Sequence, residues 1–236
     1  MRLPTLMAAL LLTAGIARAD IVIVEEVDGM AQEDEMTIMV SGDNVRTDVS
    51  PQISMLTNAT TGDVTTLMHP QKCYMVIPAA MSKALLAGGA GSPPPVTSGS
   101  ATAMASATPE HSLAPIATGK TQKINGCDAS EYIFSNGNMK ATYWMSSNFP
   151  NGKLVTEALE KFEKGGLAAM TRSLAPDFAA FHGVPVKCVV EINGQKITTL
   201  LISATEEAVD PAEYKVPPGY SQMKMPGLDS GGGVDW

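Results

Sequence analysis

Short runs of β-branched residues and methionine, each closed within a few positions by a Gly, Asn or Asp turn signal, fill most of this chain. Runs of that length and composition suit strands, because branched and apolar side chains pack well on a pleated surface. Before residue 87 the pattern predicts strands at 21–27, 36–40, 45–49, 53–58, 64–69 and 72–77, with turns at Gly42-Asp43 and Thr61-Gly62-Asp63. After residue 118 it predicts strands at 120–124, 128–135, 139–146, 185–192 and 195–203. Asn136-Gly137 and Asn193-Gly194 each stand between two such runs, and Asn-Gly favours the positive φ angles of a tight hairpin.

A different composition separates the two groups. From 87 to 118, 26 of 32 residues are Gly, Ala, Pro, Ser or Thr, so the stretch cannot bury enough apolar surface to offset its ordering entropy. It is expected to be a disordered insertion, and 227–236, with its Gly-Gly-Gly, a flexible tail. Helical spacing is clearest at 153–164, where Leu154, Val155, Ala158, Leu159 and Phe162 fall on one side, and Glu157 with Lys161 and Glu160 with Lys164 pair on the other. Short helices are also expected at 78–87 and 167–174. The strand group before the insertion, 20–86, has no helix long enough to cover one face of a sheet of its own. The expected fold is therefore mostly β (α+β): one curved antiparallel sheet forming an incomplete β-barrel, with two or three helices on its concave face. Residues 20–226 would form one domain interrupted by the insertion; two domains are the second possibility.

The N-terminus narrows the compartment. A cation at Arg2, an apolar run from Leu6 to Ile16, and Ala17-Arg18-Ala19 have the form of a secretory signal peptide cut between Ala19 and Asp20. The chain is thus expected to be exported, periplasmic or extracellular. No later segment has an apolar run of spanning length, so it is not expected to be an integral membrane protein. Its net charge of −8 argues against nucleic acid, which requires clustered Lys and Arg. In an oxidising compartment Cys73, Cys127 and Cys188 allow one disulfide, and Cys127 with Cys188 is the expected pair because both follow the insertion in strands of one sheet.

Catalytic and metal patterns are missing. His69, His111 and His182 form no HxxxH or HExxH, no Cys pair has zinc spacing, and there is no GxSxG or phosphate loop. No cofactor, metal or catalytic residue is therefore expected. Fifteen methionines are the unusual count. Met36 with Met39 and Met223 with Met225 could be read as thioether ligands of Cu(I), but methionines scattered through separate strands read better as adaptable filling of an apolar interior.

Three stretches carry a family likeness. They are Ser41-Gly42-Asp43-Asn44-Val45-Arg46-Thr47-Asp48, then 61–70 ending in His69-Pro70, then Lys72-Cys73-Tyr74-Met75-Val76-Ile77-Pro78. With Gly183-Val184-Pro185-Val186 and the ending 210–220, which runs to Pro217-Pro218-Gly219-Tyr220, this strand plan resembles the periplasmic lipoprotein carriers of the LolA and LolB kind, and uncharacterised exported families related to them. The resemblance implies a half-barrel closed by helices over an apolar cavity, and places Arg46 near the lid; read without it, Arg46 is a surface residue paired with Asp48. The expected function is a non-enzymatic extracytoplasmic binding protein that holds a lipid, a lipoprotein acyl chain or another apolar ligand. Met75, Met139, Met145, Leu154, Leu159 and Phe162 are the expected lining. The alternative is a structural or interaction module of the cell envelope, with a filled core and an envelope protein as partner.

Overall fold

The structure, a computed structural model, describes residues 19–29, 34–81, 115–136, 139–164 and 181–223. Six strands precede the insertion: β1 (Asp20–Asp28), β2 (Asp34–Ser41), β3 (Asn44–Ser50), β4 (Ile53–Asn58), β5 (Val64–Met68) and β6 (Cys73–Ile77). Five long strands and one short one follow it: β7 (Ile116–Ile124), β8 (Cys127–Asn136), β9 (Met139–Ser146), β10 (Val184–Ile192), β11 (Gln195–Glu207) and β12 (Ser221–Gln222). Helix α1 (Gly152–Lys164) lies between β9 and β10, and a single 3-10 turn (Pro211–Tyr214) between β11 and β12. All twelve strands belong to one open sheet in the order β12-β6-β5-β4-β3-β2-β1-β11-β10-β9-β8-β7. Every pairing is antiparallel except β12 with β6.

Two meanders thus meet at β1 and β11, which pair from Asp20 with Glu207 to Asp28 with Thr198. The insertion joins β6, beside one edge, to β7 at the other. It is shorter at its end than composition implies. Residues 116–118 already belong to β7, where Ile116 and Ala117 pair with Ile133 and Tyr132. Backbone pairing to β8 suffices there, and Ile116 remains 69% exposed. Cleavage within 87–114 is expected to leave two fragments that co-elute in size-exclusion chromatography and unfold in one urea transition, since the nine-residue β1–β11 ladder joins them; separate elution would refute the shared sheet.

Turn chemistry sets the local registers. Asn193 and Gly194 adopt φ of 53° and 82°, the paired positive values that a two-residue hairpin requires, and Ile192 pairs with Gln195 across them. Gly183 has φ 98°, and a β-carbon there would lie 2.2 Å from the Ser146 carbonyl oxygen, so only glycine lets the chain enter β10 against β9. The Gly137 half of the other Asn-Gly pair, the 167–174 helix, the tail from 227 and residues 1–18 lie outside the described residues, as does the 78–87 helix beyond residue 81.

Helix α1 packs on one face of the sheet. Val155 and Ala158 are buried with Ile23, Val40, Val45, Leu201 and Ala204, and Leu154 and Leu159 pack against this cluster. Its outer side pairs differently from expectation. Lys153 meets Glu157 at 3.6 Å within the helix, whereas Lys161 reaches Asp43 in the β2–β3 turn at 3.2 Å, so Lys161 ties the helix to the sheet and does not pair with Glu157. No helix among the described residues is long and apolar enough to cross a membrane.

Candidate functional site

Strand alternation gives β1–β6 two unlike faces. Registers run without a break from Ile23 through Ile38, Thr47, Met55 and Thr66 to Met75, one residue per strand. Directly opposed residues point to the same side, so this row lies on the face that carries α1. Ile53, Met68 and Ile77 belong to the same face, and Met55, Met68 and Met75 are all half-buried. Continuing across the sheet, Val27 opposes Thr199, Thr199 opposes Cys188, and Cys188 opposes Tyr143. Met139, Ala141, Tyr143 and Met145 alternate along β9 and are buried in a second cluster with Phe134 and Phe181. By register the second cluster shares the face of the half-covered methionine row, whereas the members of the first cluster on β7–β9, Ile124 and Ala129 with Trp144, lie on the other side of those strands from Tyr143 and Met145.

Glu25 is the exception on this face. It alternates with Ile23 and Val27 on β1 and opposes Met36 and Leu201. Desolvation by these surroundings pushes its pKa up to about 7. Burial likewise pushes the Cys188 thiol up to about 12, with a hydrogen bond from Tyr143 opposing the shift and the nearby Glu25 adding to it. Tyr143 is raised by the same burial.

On the other face, a strap formed by residues 208–222 covers a polar network. The Asp210 side chain caps the 3-10 turn by accepting from the Ala212 N–H at 2.9 Å. This holds Glu213 over Arg46, whose Nη1 donates to the Glu213 carbonyl at 2.9 Å and meets its carboxylate at 2.7 Å. Arg46 Nε donates to Asp48 Oδ1 at 2.8 Å. Ser54 Oγ lies 2.5 Å from the same oxygen and 2.7 Å from His69 Nε2, and His69 Nδ1 lies 2.7 Å from the Tyr220 hydroxyl. Tyr214 donates to Asp20 at 3.2 Å, and burial raises its pKa.

Proton accounting fixes what this network can do. The Asp48 carboxylate only accepts, so Ser54 spends its single proton on it. His69 must then donate through Nε2, and with neutral imidazole its Nδ1 accepts from Tyr220. That is the reverse of the serine-to-histidine donation a nucleophile needs. Ser54 is also only 1% exposed. Beside the network, Glu35, Ser50 and Pro51 border an open depression of about 380 Å3.

A model of the family described as a domain of unknown function, DUF4412, matches residues 98–220, just over half of the 236-residue chain. The chain belongs to the DUF4412 family. No curated protein matches it. Two solved structures of PNGF-II, in space groups C2 and P21, align at 10% and 9% identity with TM-scores of 0.40 and 0.39, over 89% and 87% of this chain. The chain spans only 31% of the length of each. The DUF4412 match takes in β7–β11, α1 and most of the strap, whereas the methionine row of β4–β6 precedes it.

Of the residues read from sequence, this DUF4412 protein places Met75, Met139 and Met145 on one face, with Leu154 and Leu159 over the first cluster. They differ in access: Met139 and Met145 are 6% and 3% exposed inside a packed cluster, whereas Met75 is half-buried. Phe162 lies in α1, and its side chain is outside the described residues. Arg46 is on the opposite face, paired with Asp48 and the strap and away from α1. Met36 and Met39, three apart on β2, point to opposite sides and do not converge. Asp20 opens β1 and is buried; Ala19 before it is exposed.

The expected disulfide is not formed: Cys73, Cys127 and Cys188 are all free. Cys188 opposes Tyr143 and Tyr143 opposes Tyr132, so Cys127 lies two strands across and five residues along, about 10 Å by about 17 Å. That is far beyond the ~7 Å between α-carbons that a disulfide spans. Cysteines in neighbouring strand regions carry no information about register, which is what decides their distance. Glu25, Ser54 and Tyr220 were not singled out by sequence. A lone acid between Val24 and a second acid, Glu26, looks like a strand edge until the registers of β1 are known.

Proposed function

We propose that this protein is a non-enzymatic, extracytoplasmic binding protein that holds a lipid, an acyl chain or another apolar ligand on the methionine face, in a half-barrel of the carrier kind. The observation that carries this reading is the half-buried row Met55, Met68 and Met75 on the face that bears α1, with Ile53 39% exposed beside it. Thioether side chains re-pack at low cost, so such a surface can follow a flexible chain, and each methylene it covers contributes up to about 0.8 kcal/mol. Export is supported by Ala17-Arg18-Ala19 directly before the strand that starts at Asp20. Absence of catalysis is supported by the direction of the Ser54 and His69 hydrogen bonds.

Titration with a fluorescent long-chain alcohol tests the reading. Saturable binding is expected for the wild type, with affinity at least tenfold lower for Met75→Glu and for Leu159→Glu, each first shown to be folded by circular dichroism. No saturable binding by the wild type would favour the other reading, an envelope interaction module whose packed clusters around Met139 and Met145 are simply core.

A further inference from the structure

Glu25 occupies the boundary between the two apolar clusters. Ile23 and Leu201, on one side, belong to the cluster under α1; Cys188, on the other, packs on the cluster around Phe181. Met36 faces it from β2. Among the described residues, Glu25 has no hydrogen bond and no ion pair. The titratable group that senses it is Cys188 on β10, itself hydrogen-bonded by Tyr143 on β9, and burial raises the pKa of both. No Lys, Arg or His among the described residues balances it. A half-buried carboxyl group without a partner costs free energy that an alanine or valine there would not, and such costs persist at sites that bind.

We propose that Glu25 recognises the headgroup of the apolar ligand, and that the ligand is a single-chain amphiphile carrying a protonated amine. This rests on the apolar-site reading above. An ammonium docked on Glu25 restores the missing donors through a charge-assisted hydrogen bond, while its chain runs over methionine and aliphatic side chains of the same face. The same carboxylate rejects a fatty-acid headgroup, which would place like charges together on a chain already at −8. Occupancy by the cation also holds Glu25 ionised, so amine binding strengthens as pH rises through the range in which the empty site deprotonates.

The experiment compares decylamine, decanol and decanoate on the full chain at pH 8 by displacement of the fluorescent alcohol, with wild type and Glu25→Gln. Wild type is expected to bind decylamine roughly tenfold more tightly than decanol, with decanoate weakest. Glu25→Gln is expected to leave decanol unchanged and bring decylamine down to its level. From pH 5 to pH 8 the preference of wild type for decylamine over decanol should grow, which gives a second reading should the variant fail to fold. Saturable decanol binding with an amine-to-alcohol ratio within about twofold of unity in wild type, or unchanged in the variant, overturns the role of Glu25 and leaves the apolar site standing. No binding of any of the three overturns both.

Discussion

Arg46→Met is expected to lower the stability of the folded protein by about 3 kcal/mol in urea denaturation, the scale of breaking a buried ion pair from one side. The Arg46 side chain is 11% exposed and bonds three separate parts of the chain: Asp48 on its own strand, Ser54 on β4 and Glu213 in the strap. Its removal leaves Asp48 with Ser54 as its remaining donor and unties the Glu213 carbonyl. Glu213→Ala should cost less than about 1 kcal/mol, since that side chain is 48% exposed and its carbonyl bond to Arg46 remains. Arg46→Lys should fall between the two, because an ammonium cannot reach Asp48 and Glu213 together in the fork geometry of a guanidinium. Arg46→Met should also expose 208–222 to proteases at low urea. A loss under about 0.5 kcal/mol with no change in cleavage would mean that Tyr214, Tyr220 and β12 hold the strap without it.

The role of Arg46 shows where reading the sequence stops. All eleven long strands and α1 are legible because alternation, Asn-Gly turns and helical spacing are local properties, and the registers then follow from short hairpin connections. The pairing of β1 with β11 is not local, and no residue in either strand announces it. On that pairing depend which side of the sheet Arg46 faces relative to α1 and which groups surround Glu25, and on the equally non-local pairing of β9 with β10 depends how far Cys127 is from Cys188. Composition alone also gave the insertion three residues too many at 116–118, since a strand edge needs only backbone partners. Methionine was informative as a class: Met75, Met139 and Met145 share a face because each falls on the matching parity of its strand. Which of them stay within reach of a ligand depends on Phe181 and α1, which are distant in sequence.

Glu25 gives the second large effect, and its sign is opposite to that of a paired carboxylate. Its folded pKa of about 7 lies above the ordinary glutamate value of 4.5, so between those values the folded state holds a proton that the unfolded state has released. Stability from this group is full below about pH 4.5 and is lost as pH rises to about 7, where both states are ionised. The full shift would correspond to about 3 kcal/mol; a residue that keeps part of its surface in water delivers less, and about 2 kcal/mol is expected. Glu25→Gln keeps the shape and remains neutral at every pH. The variant should therefore match wild type at pH 5 and exceed it by about 2 kcal/mol at pH 8, while the other carboxylates, common to both proteins, cancel from the difference. Urea midpoints at the two pH values measure this directly. A difference between variant and wild type that does not change with pH would mean that water or a cation reaches Glu25 in the folded protein. Decylamine should then narrow the gap at pH 8 by stabilising wild type more than the variant, which binds it only as it binds decanol, because the tighter binding to the ionised site offsets the desolvation that the variant avoids by mutation.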